Sequence, residues 1–494
     1  MEQPNNYSWN IPQRQSLAAI VIILLQMVVR LIKSLWPILI VYFIRKQKDD
    51  EGISFLWIIF GFSVITVLMT ILKYWFYKFH IYNDNLIIQS GWLKKKTLTL
   101  PLESIQAVHL EQNIWQQLLK VASVKLDSSG SEKVEIKIDA ISVSKAEDLK
   151  QLLLSRHQAL PENADVVTHP VNRFLKLSMR DLLKISLSAN HLEAFFILFV
   201  LGLNLLNDVN KIFNIDGWKV IGDYAVKVEG QTILAITIII LLVAIVSVLI
   251  SMIRTVIKYY NFRLEDTIQG WKIFTGLITR QQLIVPYNKI QILSWKANWL
   301  RRKLDFWIIQ VQSIGYESLK SKQHINIPVI QMEHAVILSQ RYQQTPLFKF
   351  IDGSMIEPDI WKRKLLFITV PITLILLLIF YFIAGLMTLW ILLLFPIMSW
   401  YYYTWYLNFR WMCNEEGIQM YSGVWGRKYT LLTWKKIQQV ELKQSFYQRS
   451  HSLASLTFYT AGGKVELLYI PYNNAIQITN HILFFVESRN ESWM

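Results

Sequence analysis

The stretch Asn83-Asp-Asn-Leu-Ile-Ile-Gln-Ser-Gly-Trp-Leu-Lys-Lys-Lys-Thr-Leu-Thr-Leu-Pro-Leu-Glu-Ser-Ile-Gln106 decides the architecture, because the chain repeats it twice. The second copy runs from Ile268-Gln-Gly-Trp-Lys-Ile-Phe-Thr-Gly276 to Ile290-Gln291, the third from Glu415-Glu-Gly-Ile-Gln-Met-Tyr-Ser-Gly423 to Ile437-Gln438, neither with a gap. Each has a turn residue (Asn85, Gly270, Gly417), an alternating stretch that reads as a half-buried strand, and a closing glycine (Gly91, Gly276, Gly423). Asn or Gly at the turn position suits a backbone with positive φ between paired strands. Pro101 corresponds to Pro286, and the third copy has Thr433 there.

Beyond Ile-Gln each copy continues alike. Strands are expected at 121–127 and 134–138, at 307–314 and 325–328, and at 455–460 and 464–470. Stretches with apolar residues at helical spacing close the copies at 144–154, 332–342 and 473–486. The repeat is a mostly β module of about 80 residues closed by a helix.

Apolar runs precede every module. With 53% hydrophobic and only 17% charged residues, the chain is too apolar for a soluble globular protein. Runs long enough for a bilayer, which needs about 20 residues each, fall as pairs: 17–44 and 53–72, 192–206 and 233–257, 365–384 and 387–405. Arg30 and Lys33 interrupt the first run, so an interfacial elbow helix from about Gln15 is expected to lead into the span, with both cations reaching the surface. No cleavable signal peptide is expected, since the amino end is polar and the apolar stretch runs on into further membrane sequence.

The net charge of +16 is not spread evenly. Basic residues outnumber acidic ones in 1–34, 73–191, 254–364 and 405–494, whereas acidic residues prevail in 45–53 taken with 193–232. Three hairpins put the first group on one side of the membrane, and the positive-inside rule makes that side cytoplasmic. The basic excess then needs no nucleic-acid partner. The single cysteine, Cys413, excludes a disulfide framework and a cysteine-based metal cluster.

A glycine, a basic strand and (Pro)-x-x-x-Ile-Gln behind a membrane hairpin, three times over, resembles the YdbT-like family of bacterial pleckstrin-homology (PH) membrane proteins, over nearly the whole chain. The resemblance implies an α+β membrane protein in which about six transmembrane helices form three hairpins, each followed by a PH-like β-barrel module with a C-terminal helix. The expected division is 1–72 for the elbow and first hairpin, 73–158 for the first module, 175–258 for a linker helix and second hairpin, 259–345 for the second module, 360–405 for the third hairpin and 406–490 for the third module. It further implies a multi-pass protein of the bacterial plasma membrane with cytoplasmic modules, of a family linked in part to resistance against membrane-active antimicrobials.

Candidate binding groups are basic residues beside aromatic ones: Lys94, Lys95 and Lys96; Trp299 with Arg301, Arg302 and Lys303; and Arg427 with Lys428. Near a cytoplasmic leaflet each Lys or Arg attracts anionic head groups by about 1 kcal/mol. A solvated, topology-setting basic face accounts for them equally well. The repeated Gly91, Pro101, Ile105 and Gln106, Gly276, Pro286, Ile290 and Gln291, and Gly423, Ile437 and Gln438 read as structural, with the isoleucines buried and the glutamines bonding local backbone. The nine histidines show no helical zinc spacing, and no phosphate loop or nucleophile elbow occurs, so no catalytic residue, metal or cofactor is expected. Of the charges at span edges, Arg30, Lys33, Glu193 and Arg254 do not repeat across the hairpins; Asn204 and Asn207 are the polar candidates within them.

These observations favour a non-catalytic scaffold or binding protein, its partners membrane lipids and a protein such as another membrane PH-domain protein. The competing readings are a transporter or exporter component with a path through the helices, and an enzyme whose dispersed residues meet only in the fold.

Overall fold

The computed structural model describes residues 8–29, 52–128, 136–155, 172–213, 231–267, 270–313, 324–329 and 331–488. The chain divides into two compact units. One holds Met1–Lys176 and Asn261–Pro286; the other holds Leu177–Tyr260, Tyr287–Tyr316 and Lys322–Met494.

In the first unit β1 (Lys78–Tyr82), β2 (Asn85–Ser90) and β3 (Lys96–Pro101) form a three-stranded antiparallel sheet. Then follow β4 (Ile105–Gln112), β5 (Val121–Ser128), β6 (Ile136–Ser142), β7 (Asn172–Lys176), β8 (Arg263–Thr267), β9 (Gly270–Thr275) and β10 (Arg280–Pro286), which make one seven-stranded sheet in the order β6-β5-β4-β10-β9-β8-β7. The second unit repeats the arrangement. A six-stranded sheet orders β13 (Ile325–Val329), β12 (Trp307–Ser313), β11 (Ile290–Ala297), β16 (Arg427–Thr433), β15 (Gly417–Ser422) and β14 (Arg410–Cys413), and β17 (Gln439–Lys443), β18 (Leu453–Thr460) and β19 (Gly463–Pro471) form the last sheet.

The expected closed barrels are therefore absent among the described residues. Within a module the third strand does not pair with the fourth. Instead β4 of the first module pairs with β10 of the second, and β11 of the second pairs with β16 of the third. The cause lies in the repeated signature. After β3, β10 and β16 a single 3-10 turn (Leu102–Ser104, Tyr287–Lys289, Trp434–Lys436) swings the chain out of its sheet. A β-bulge follows at once, where the register skips Gln106 and Gln291, adding the local bend that a bulge imposes. Thr433, with φ −84° and ψ 145°, makes this corner as Pro101 does with φ −60° and ψ 133°. The missing proline leaves the corner intact.

The cores follow from the alternation. In the first module Phe79, Leu86 and Leu100 pack against Val108, Val124 and Ile138, and the helix Val143–Ser155 adds Ala146, Leu149 and Leu153. In the third, Trp411, Ile418, Met420 and Leu432 meet Ile437, Leu456, Phe458 and Leu467, capped by Ala475, Ile478 and Ile482 of the helix Tyr472–Glu487. Each such side chain contributes about 1.5–3 kcal/mol when fully buried.

Positive φ lies at Asn83 and Asp84 in the first turn, not at Asn85. Gly270 holds positive φ, at +154°, and at both Gly270 and Gly417 a Cβ would stand 2.1 Å from the carbonyl oxygen of Val285 or Leu432 on the neighbouring strand.

Three helices are long and apolar enough to cross a membrane, Thr237–Tyr259, Asp359–Phe382 and Gly385–Asn408, or four if Met179–Leu187 and Leu192–Gly202, bent by 65°, make one span. The first hairpin is described only in part, by the apolar helix Ala18–Val29 and by Gly52–Phe76; Arg30 and Lys33 lie outside the described residues. Six spans are thus expected from the sequence, and among the described residues three or four helices are long and apolar enough to be such spans.

Candidate membrane-facing surface

Between the fourth and fifth strands of every module stands one short helix: Ile114–Leu118, Trp299–Lys303 and Phe446–Ser450. Asn113, Asn298 and Ser445 cap these helices by accepting the backbone N–H three residues on, and Lys120, Asp305 and Ser452 end them in the left-handed region. The first helical position is apolar and turned outward in all three. Ile114 is 53% exposed, Trp299 57% and Phe446 97%.

Each short helix adjoins the elbow that leads into its own membrane hairpin. In the first repeat Leu119 packs with Ala19 and Ile22 of the helix Ala18–Val29. In the second, Asn298 Nδ2 donates to the Ser188 carbonyl at 3.0 Å and Arg301 Nε to Ser188 Oγ at 3.2 Å, just after the amphipathic helix Met179–Leu187. In the third, the Tyr447 hydroxyl donates to Asp359 at 3.0 Å, and the Arg363 guanidinium lies 4.3 Å from the Tyr447 ring. The elbows therefore tie each module to the start of the apolar helices that precede it.

The hairpin between the second and third strands supplies the other part of the surface. Its closing glycines, Gly91, Gly276 and Gly423, hold φ of +96°, +104° and +134°. The tips they permit are apolar: Trp92 and Leu93, Leu277 and Ile278, and Trp425, all exposed. Trp425 touches the membrane-spanning helix Gly385–Asn408, its ring edge-to-face with Trp400 at 6.4 Å. The paired sheets also bring the second and third tips beside the short helix of the preceding module. Gln117 Nε2 donates to the carbonyls of Leu277 and Ile278 at 3.2 and 2.9 Å, and a Cβ on Gly426 would lie 2.8 Å from the Ala297 carbonyl oxygen.

The basic residues separate on this frame. Lys94, Lys95 and Lys96 are exposed beside the Trp92-Leu93 tip, at the start of the outermost strand β3. Arg302, Lys303 and Arg427 are exposed too. Arg301 is engaged with Ser188. Lys428 stands opposite Lys296 across the β11–β16 pairing, half-buried, and burial followed by the charge of Lys296 holds its ammonium below the usual lysine range. Burial, then Lys296 and Lys428, likewise lower the His324 imidazole.

Ile105, Ile290 and Ile437 are buried, at 3, 0 and 5% exposure. The expectation for the glutamines needs correction. Gln291 buries a side-chain nitrogen that meets no partner among the described residues, while the Gln438 side chain is exposed. What they share is backbone position: Gln106 and Gln291 at the bulge, and Gln438 N–H donating to the Tyr459 carbonyl at 2.8 Å. Gln291 also accepts, through its carbonyl, the buried Tyr342 hydroxyl at 2.6 Å, which in turn receives the Thr433 N–H at 3.3 Å.

Within the second hairpin Glu193 and Arg254, from opposite ends of the chain segment, pair at 3.7 Å. The hydroxyls of Ser247 and Thr373 return to their own helices, donating to the carbonyls of Ala244 and Thr369. Among the described residues no three His, Cys, Asp or Glu side chains stand together. Sequence reasoning missed the short helix altogether. Its signal was legible in Asn113-x-x-Gln116 and Ser445-x-x-Gln448, capping boxes each followed by an apolar residue.

Comparison with known proteins fits this geometry. The profile of the family described as Bacterial PH domain matches residues 15–157, 219–345 and 365–484, each match taking in a membrane segment and the module behind it. The chain is 21% identical over 470 residues to the UPF0699 transmembrane protein YdbT of Bacillus subtilis (strain 168), covering 90% of this chain and 92% of that protein. No solved structure matches.

Proposed function

Because the chain belongs to the bacterial PH domain family, we propose that it is a non-catalytic, multi-pass scaffold of the bacterial plasma membrane that holds its modules against the cytoplasmic leaflet, where they bind anionic lipid and protein partners. The observation that carries this reading is the meeting of Trp425 with Trp400, which sets a module's apolar hairpin tip at the level of a spanning helix. Its counterpart in the first module adds Lys94, Lys95 and Lys96 to an exposed Trp92 and Leu93, a combination suited to a negatively charged interface. Resistance to membrane-active antimicrobials is the physiological setting that fits such a scaffold.

The test is to extract the full-length protein with its surrounding lipid, after mild crosslinking in cells, and identify lipids and proteins by mass spectrometry. Anionic lipid is expected to be enriched over the bulk membrane, and the triple variant Lys94→Glu, Lys95→Glu, Lys96→Glu to lose most of that enrichment. Enrichment that is absent, or that survives the triple reversal, would remove lipid binding at this tip and leave protein docking alone.

A further inference from the structure

Among the described residues two strands end the series of inter-module pairings without a mate. β3 is the outer strand of the first sheet on the side away from β1, and β17 the outer strand of the last on the side away from β19. They are complementary halves of the same junction. At both internal junctions the fourth strand of one module pairs with the third strand of the next, and the register is identical once the repeats are aligned. Gln112, Glu111 and Leu110 face Arg280, Gln281 and Gln282; Ala297, Lys296 and Trp295 face Arg427, Lys428 and Tyr429. We propose that β17 takes up β3 of a second copy of this chain, head to tail, in the same register: Gln444 opposite Lys95, Lys443 opposite Lys96, Leu442 opposite Thr97 and Glu441 opposite Leu98.

Three features argue for this occupant. The end of β17 is built like that of β4: Gln444 Nε2 donates to the Leu453 carbonyl at 2.7 Å, as Gln112 Nε2 does to the Val121 carbonyl at 2.9 Å. The partners of the flanking contact are present at the two open ends. Arg449 occupies the place of Gln117, which donates to the carbonyls of the incoming tip, and the corresponding tip residues are Trp92 and Leu93. Phe446, 97% exposed, and Leu93, 87% exposed, stand where Ile114 and Ile278 stand at the first internal junction. The facing lysines Lys443 and Lys96 repeat a pairing that the β11–β16 junction already holds, Lys296 opposite Lys428. Lysines on an outer strand discourage indiscriminate edge pairing, and here the register gives them one tolerated position. Such a contact is heterologous, so it propagates as an open chain or closes as a ring. It shares the Trp92-Leu93 tip and Lys96 with the lipid reading but rests on strand order, register and the Gln444 contact.

Two differently tagged full-length chains, both carrying Cys413→Ser, are to be co-expressed, one with Leu442→Cys and the other with Thr97→Cys, and their membranes oxidised. A second pair, Glu441→Cys with Leu98→Cys, samples the neighbouring position, because directly opposed residues alternate between near and far spacings. A disulfide-linked product containing both tags is expected from one pair or both, and none from either cysteine alone. Ser294→Cys with Thr430→Cys in a single chain, opposed across the β11–β16 junction, reports that the fold is intact by forming an intrachain bond. With that control positive, absence of the intermolecular product overturns the proposal. Leu442→Cys linked to itself, or to a different protein, overturns it as well, in favour of a symmetric edge or another occupant.

Discussion

Trp425 at a hairpin tip and Trp400 in a spanning helix stand edge-to-face, ring centroids 6.4 Å apart, and so couple a β module to the membrane segment that precedes it. Edge-to-face pairs contribute about 0.5–1.5 kcal/mol beyond the area they bury. Trp425→Ala is expected to lower stability by about 1 kcal/mol, read as a fall in Tm of the purified protein in detergent. Trp92→Ala, at the equivalent exposed tip but in no aromatic pair among the described residues, is expected to stay within about 0.5 kcal/mol. Equal losses in the two variants would contradict the coupling.

Tyr342 joins a bulge to a corner. Its buried hydroxyl donates to the Gln291 carbonyl and accepts the Thr433 N–H, and burial pushes its own ionisation up to about 12. Tyr342→Phe leaves both backbone groups without that partner, a cost of about 1–3 kcal/mol. Denaturation of the variant should begin in the six-stranded sheet, visible as faster hydrogen exchange in β11 and β16 than in β5.

Lys296 and Lys428 oppose one another in the second junction, and both ammonium groups are held below their ordinary range, by burial first. With folded values depressed, the penalty is full at neutral pH. It is relieved as pH rises from the folded value toward the unfolded one of about 10.4, because the unfolded chain then holds more protons. Lys296→Glu converts a like pair to an opposite one, and is expected to raise stability at pH 7 by up to about 1 kcal/mol. The gain in Tm should shrink on going to pH 10, and a gain that grew with pH would refute this account.

Gly423 and Gly61 make an internal contrast. A Cβ on Gly423, at φ +134°, would stand 2.0 Å from the Gly426 carbonyl oxygen, whereas one on Gly61, in the helix Gly52–Phe76, meets nothing within 4 Å. Gly423→Ala is expected to cost about 1–3 kcal/mol, and Gly61→Ala to be neutral or to stabilise by about 0.5–1 kcal/mol. Tm values of the two variants decide it.

Much of this architecture is written locally. Alternation placed the strands at 121–127 and 464–470 close to the observed β5 and β19, and helical spacing placed the closing helix at 473–486 within Tyr472–Glu487. Self-similarity found the glycines at the hairpin tips. The pairing of β4 with β10 could not be read in the same way. A strand's sequence states which face is buried, but not which edge partner it meets across a membrane hairpin. The Ile-Gln dipeptide looked like a core residue beside a polar one; its glutamine marks a bulge, a backbone event without a side-chain signature of its own. The candidate surface was half legible. Lysine runs announce themselves, whereas the apolar residues Ile114, Trp299 and Phe446 differ too much in type to align by eye, and only their shared cap position relates them.

The junctions also govern how this chain can be made. β4 leaves the ribosome long before β10 exists, and the apolar helices Leu192–Phe213 and Gln231–Tyr259 must be made in between. During that interval the nascent first module has its own core but carries a bare edge, the kind of surface that chaperones hold and that neighbouring nascent chains can capture. Each hairpin therefore acts as a timer, and the order of synthesis decides which strand reaches the waiting edge first.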